Sequence, residues 1–115
     1  MISSALEAFF RTYYRKPYLM KFSCKNCLMS FRRTYFINDY ENEWKKVFAK
    51  VAACYEKYRH KNAHPDWISD SIDQTFEQSQ EEYNDLVFLS RFYGYLILAL
   101  TGYTNLEPKA IVVKS

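Results

Sequence analysis

The ten residues from Tyr58 to Trp67 read YRHKNAHPDW. They hold Arg59, Asn62, both histidines of the chain (His60 and His64) and, directly after the second histidine, Pro65. An imidazole, with an ordinary pKa of about 6.5, exchanges protons near neutral pH. A guanidinium is a permanent cation whose planar fork fits a phosphate or a carboxylate. Side by side, the two types could grip an anion and move a proton next to it. Arg59 and His64 are five residues apart, which on a regular helix means about 140° out of line and a rise of about 7.5 Å. A helical pair on one face would be three or four apart. Pro65 resolves the mismatch, because the residue before a proline is pushed out of the α region by clash with the ring. The expectation is a helix whose last turn holds Arg59, with His64 leaving it and turning back.

Four helices are expected to carry this segment. Ser4-Ala-Leu-Glu7 is a capping box, which opens helix 1 at roughly 4–15 before Pro17 interrupts. Leu19, Phe22, Leu28, Phe31, Tyr35 and Phe36 follow a mostly helical spacing and predict helix 2 over 19–36. Asn38 and Asp39 are good caps, Glu41 and Glu43 suit a first turn, and helix 3 is expected from about Tyr40 to Asn62. Its stripe is Trp44, Val47, Phe48, Val51, Cys54, Tyr55 and Tyr58, a clean 3.6-residue repeat. A second capping box, Ser71-Ile-Asp-Gln74, opens helix 4, which is acidic at first and then apolar almost all round through Leu100, with Gly102 as its C′ residue. Ala110 to Val113 is a tail whose packing the pattern leaves open. The fold class is therefore all-α, a four-helix up-and-down bundle in a single domain spanning 1–115.

Composition agrees. The 115 residues are 49% hydrophobic, with 11 tyrosines and 9 phenylalanines but only 2 glycines and 3 prolines, which suits long helices and not a turn-rich β fold. The net charge of +3 hides an asymmetry. Residues 1–61 hold 13 Lys and Arg against 5 Asp and Glu, while residues 62–115 hold 3 against 8. A basic half of this size points to a polyanionic partner, although a solvated basic helix face gives the same count. Three cysteines, an odd number, fit free thiols in a reducing compartment. MISSALEAFF lacks the charged and long apolar regions of a secretory signal, and the apolar run from Leu86 to Leu100 is short and interrupted by Ser90, Arg91 and Gly94. The expected location is the cytoplasm, with no membrane contact.

Arg59-His60-Lys61-Asn62-Ala63-His64, followed by Pro65, resembles the R-x4-6-H motif of HEPN domains, small helical bundles in which the residue after the arginine is commonly polar. The Glu41-x-x-Trp44-x-x-Val47-Phe48-x-x-Val51 pattern ahead of Tyr55 and Tyr58, and the tyrosine-rich apolar last helix, are also similar to that family. The resemblance covers most of the chain in layout and six residues in motif. It implies metal-independent RNA cleavage, in which the ribose 2′-hydroxyl attacks the neighbouring phosphate to leave a 2′,3′-cyclic phosphate and a 5′-hydroxyl. In that implied chemistry His64 is the general base or acid, and Arg59 holds the phosphate and the charge developing on it. His60 orients the phosphate or shares proton transfer, and Asn62 and Lys61 bind substrate. The family also implies a homodimer through the apolar last helix with two motifs facing one cleft, a toxin or defence role, and an antitoxin protein as a further partner. No cofactor and no metal are expected.

Other readings compete. Arg59 in a last turn suits the helix dipole, and His64 before a proline suits a turn that bonds the helix end. Some HEPN domains are non-catalytic dimerisation, protein-binding or nucleotide-binding modules, which is the alternative function. Cys24-x-x-Cys27 is half of a zinc knuckle, with Glu56, His60 and His64 at i, i+4 and i+8 as the other ligands. A second C-x-x-C, a nucleophile elbow and a glycine-rich phosphate loop are all absent from the sequence. Arg32 and Arg33 could contact DNA. Tyr13, Tyr14, Tyr18, Tyr35 and Phe36 lie among basic residues and could stack on unpaired bases, though at helical spacing they equally form a core.

Overall fold

The computed structural model describes residues 2–17, 20–63, 76–109 and 111, with side chains described for 5–17, 20–58, 77–109 and 111. These residues form four helices: α1 (Ile2–Tyr13), α2 (Cys24–Tyr35), α3 (Glu41–Ala63) and α4 (Phe76–Leu100), with no strand among them. The all-α expectation holds.

α1 begins at Ile2, so Ser4 lies inside the helix and does not cap it. The helix closes with a Schellman arrangement: the Lys16 amide donates to the Arg11 carbonyl (2.8 Å) and the Arg15 amide to that of Thr12 (3.3 Å). Arg15 supplies the left-handed residue, φ 55°, where glycine would be unstrained. Pro17 follows two residues on, and its carbonyl accepts from Arg11 Nη1 at 2.7 Å.

α2 is shorter than the 19–36 expected. Ser23 caps it by accepting from the Asn26 amide (3.3 Å), and the helix starts at Cys24. Phe22 packs on the core from outside the helix, against the Tyr55 ring and under the Arg11 guanidinium. An apolar residue on a connecting segment had extended the helical pattern. Asn38 starts the next turn, its Oδ1 accepting from the Tyr40 amide (2.8 Å), while the Asp39 amide is taken by Asn105 Oδ1 (3.1 Å).

α3 and α4 match their predicted spans where these are described. The expected stripe of α3 is buried from Trp44 to Tyr55, and Tyr58 is half-buried. The Ser71–Gln74 capping box lies outside the described residues. Gly102, φ 98°, ends α4 in a second Schellman motif, with Tyr103 donating to Leu98 and Gly102 to Ala99, both at 3.3 Å.

Side-chain pairings give the packing. Phe36 meets Trp44 and Phe48, while Phe22, just ahead of α2, meets Tyr55, so α2 and α3 run antiparallel. Trp44 meets Tyr95, Phe48 meets Phe92, Lys50 meets Phe88 and Tyr58 meets Asp85, so α3 and α4 also run antiparallel. α1 packs on all three, with Phe9 and Phe10 on Phe31, Glu7 bonded by Tyr55, and Phe9 on Tyr93. Burying such rings is the main stabilising contribution, about 2–3 kcal/mol for each fully buried large side chain. The segment after α4 is bound at the same end of the bundle, where α3 begins. The Leu106 carbonyl accepts from Trp44 Nε1 (2.7 Å) and Asn38 Nδ2 (3.3 Å), and the Glu107 carbonyl from the Tyr95 hydroxyl (3.2 Å). Ile111 beyond it is buried, which settles one residue of the tail that the sequence pattern left open.

Candidate functional site

The motif sits at the end of α3, whose backbone is helical through Ala63. The side chains of Arg59, His60, Lys61 and Asn62, and all of His64 and Pro65, lie outside the described residues. The helical register still orders the first four. Asn62 falls on the line that continues Val51, Tyr55 and Tyr58, the side of α3 turned to the core. His60 falls on the opposite line, and Arg59 and Lys61 on the two boundaries between. Arg59 is adjacent in register to Asn62 and to Ala63, three and four residues on.

Directly before the motif stands a polar network that the sequence reading missed. The Tyr58 hydroxyl donates to Asp85 Oδ2 at 2.6 Å, Lys57 Nζ donates to the same oxygen at 3.3 Å, and Lys57 Nζ also reaches Glu81 Oε1 at 2.6 Å. Asp85 is 8% exposed. Glu81 and Asp85 are one turn apart on α4, and Lys57 and Tyr58 are consecutive on α3, so four side chains tie the two helices together. The Glu81 carboxylate is the main cause that pushes the Lys57 ammonium above its ordinary range, against the opposing pull of desolvation. Burial, then the bond to Asp85, pushes the Tyr58 phenol up as well. At neutral pH Lys57 is therefore a cation and Tyr58 a neutral donor, so the network clamps the helices and moves no proton. Its trace in the sequence is Asp85, a carboxylate on the same helical line as Phe88, Leu89, Phe92 and Leu96.

The competing sites resolve differently. Cys24, Cys27 and Cys54 are all free and buried. Burial is the leading cause that raises all three thiols, Cys24 to about 12, so their thiolates are scarce at neutral pH and metal binding there is disfavoured. Among the described residues no three His, Cys, Asp or Glu are placed to hold a metal ion, and the His60 side chain and all of His64 lie outside that description. The tyrosine-rich basic region is core: Phe36 is fully buried, Tyr13, Tyr14 and Tyr35 are half-buried against it, and the Tyr13 and Tyr35 hydroxyls bond at 2.6 Å. Tyr18 lies outside the described residues. Arg32 is turned to Glu41 (3.8 Å), which removes it as a DNA contact, whereas Arg33 is exposed.

α4 is less enclosed than its composition implies. Leu89, Phe92, Leu96 and Ala99 are buried, yet Leu86, Ile97, Leu98 and Leu100 are each more than a third exposed. Beside them an apolar groove of about 540 Å³ runs between α1 and α4, lined by Ala5, Ala8, Phe9, Thr12, Tyr93 and Leu100 among others. No helix among the described residues is long and apolar enough to cross a membrane.

No family model, no curated protein and no solved structure matches the chain.

Proposed function

We propose that the chain is a HEPN-like helical protein that cleaves RNA without a metal ion, using Arg59 and His64. The observation that carries this reading is the continuity of α3 through Ala63, clamped to α4 one residue before Arg59 by Tyr58–Asp85 and Lys57–Glu81. A catalytic cation must be held in place to act on a phosphate, and a helix end fixed by a buried carboxylate is a suitable mount. Arg59 holds the non-bridging oxygens, and His64 takes the proton from the 2′-hydroxyl or returns one to the leaving 5′-oxygen. His60 orients the phosphate, while Lys61 and Asn62 bind the strand. The register of Asn62, toward the core side, makes it the weakest of these assignments.

The exposed apolar residues of α4 favour a homodimer through that helix. They also favour the second reading, a dimerisation module without catalysis. One experiment separates the two. Purified protein in EDTA is incubated with mixed RNA, and the products are tested for 2′,3′-cyclic phosphate. The nuclease reading expects cyclic-phosphate ends from the wild type and at least a hundredfold loss in Arg59→Ala and in His64→Ala. Equal inertness of wild type and variants leaves the module. The oligomeric state is read by sedimentation, where Leu86→Glu/Ile97→Glu is expected to give monomers.

A further inference from the structure

The outer face of α2 alternates basic and apolar side chains. Residues 8–38 hold seven Lys and Arg and no Asp or Glu. Two of the seven work inside the fold. Arg11 bonds the Pro17 and Met20 carbonyls (2.7 and 3.1 Å), and Arg32 faces Glu41 at 3.8 Å. The other five, Arg15, Lys16, Lys21, Lys25 and Arg33, are in no ion pair among the described residues.

Lys25, Met29 and Arg33 recur every four residues along α2, on the side opposite the buried Cys27, Leu28 and Phe31, and all three are exposed. Lys21 stands two residues ahead of the Ser23 cap. Burial raises the Cys27 thiol and the charge of Lys16 opposes it, which puts Lys16 beside the first turn of α2. Met29 is 38% exposed, and Met20 and Ile37, 51% and 56% exposed, stand at the two ends of the line. Folding accounts for only part of this. Arg33 in the last turn suits the helix dipole. Lys25 lies in the first turn, which has no acidic residue, so its charge and that of Lys21 oppose the dipole. Three apolar side chains among these cations are left in water.

We infer that this face rests on an anionic lipid surface, with Lys21, Lys25 and Arg33 among the headgroups and Met29 entering the acyl boundary, flanked by Met20 and Ile37. The apolar groups on the line are aliphatic. The rings of the region, Phe31, Phe36, Tyr13, Tyr14 and Tyr35, pack on the core and are not free to stack on bases, which disfavours a strand of nucleic acid. The outer line of a single helix is convex, which suits a plane better than a peptide that needs a groove. The contact is peripheral, since no helix among the described residues is long and apolar enough to cross a membrane. It departs from the expectation of no membrane contact, and it does not rest on the Arg59–His64 reading.

The test is co-sedimentation of the full chain with phosphatidylcholine vesicles that carry about 30% phosphatidylserine or phosphatidylglycerol. The two anionic lipids should bind the chain equally, pure phosphatidylcholine at least thirtyfold more weakly, and added salt should release it. Lys21→Gln/Lys25→Gln/Arg33→Gln is expected to weaken binding about a hundredfold, near fivefold for each cation. Met29→Gln should cost about threefold, while Met29→Trp should tighten binding, because an indole prefers the interface. Lys46→Gln/Arg91→Gln/Lys109→Gln, the same charge change at exposed positions on other elements, should cost less than threefold. The inference fails if anionic and neutral vesicles bind alike, if the face variant stays within twofold of wild type, or if the control variant loses as much. It also fails if Met29→Gln and Met29→Trp both match wild type. A wild type that ignores vesicles but binds a 2′-O-methyl oligouridylate through the same three cations overturns it and assigns the face to nucleic acid. If the triple variant does not fold, Lys25→Gln and Arg33→Gln singly are each expected to lose about fivefold, and no loss in either overturns the surface. Arg59→Ala/His64→Ala should bind vesicles like wild type, so a lost nuclease and a lost lipid contact are told apart.

Discussion

Replacing Tyr58 by phenylalanine removes one oxygen and keeps the ring on the core. That oxygen donates to Asp85 Oδ2 at 2.6 Å, and Asp85 is 8% exposed, so water replaces the lost donor poorly. A hydrogen bond to a charged group contributes about 1.5–3 kcal/mol, and a carboxylate left under-bonded sits at the upper part of that range. Lys57 remains 3.3 Å away as a partial substitute, which brings the expected cost to about 2 kcal/mol. For a chain of this length that is a fall in Tm of roughly 8 °C. Two measurements check it. Urea unfolding gives the total, and the double-mutant cycle with Asp85→Asn isolates the pair, with an expected coupling above about 1 kcal/mol. Native-state hydrogen exchange gives the location: protection should fall first in residues 59–63, the turn beyond the clamp. The Lys57 pKa is raised in the fold, so its contribution is fully present below its unfolded value near 10.4 and is lost only as pH rises through the folded one. The Tyr58→Phe penalty should thus be the same at pH 6 and pH 9. A penalty below about 0.5 kcal/mol, with exchange in 59–63 unchanged, would refute the idea that this network mounts the end of α3.

Arg15→Gly relieves a left-handed backbone position and should raise stability by about 1 kcal/mol, read as a Tm gain of roughly 4 °C, whereas Arg15→Val should lower it. The three thiols should react slowly with a disulfide reagent in the native state at pH 8 and together on unfolding in guanidinium, and fast native labelling of Cys24 would contradict its burial. The bond to Tyr35 raises the Tyr13 phenol to about 12, so the folded state holds a proton that the unfolded chain releases near 10. That contribution is complete below about pH 10 and disappears as pH climbs toward 12, which ultraviolet titration of phenolate with urea midpoints at pH 9 and 11 would follow, and Tyr13→Phe should remove the decline. Trp44→Phe takes one of two donors from the Leu106 carbonyl, and an expected loss of about 1–2 kcal/mol should come with faster exchange in residues 103–109.

The sequence carried the helices well where one period governed a whole face. The α3 stripe, Trp44 to Tyr58, is buried as its spacing requires, and Gly102 closes α4 because a left-handed residue is needed there. It failed where a local motif competes with a tertiary one. Ser4-x-x-Glu7 has capping-box chemistry, yet Glu7 turns to Tyr55 and Arg11 and the helix starts earlier. Phe22 follows Leu19 at a helical spacing of three but reaches the core from a connecting segment, because burial alone does not require helical backbone. The cysteine pair has metal-ligand spacing, and only burial decides against it. The Tyr58–Asp85 clamp has no local signature, since it joins residues 27 positions apart.

α3 is anchored differently along its length. Its N-terminal half is fixed by aromatic contacts, Phe36 on Trp44 and Phe48 on Phe92, and by the segment bonded to Trp44. Such contacts are dry and indifferent to charge. Its C-terminal half is fixed by Lys57, Tyr58, Glu81 and Asp85, which is polar and partly wet. The end of α3 that leads to the motif is therefore the end whose anchoring depends on charge.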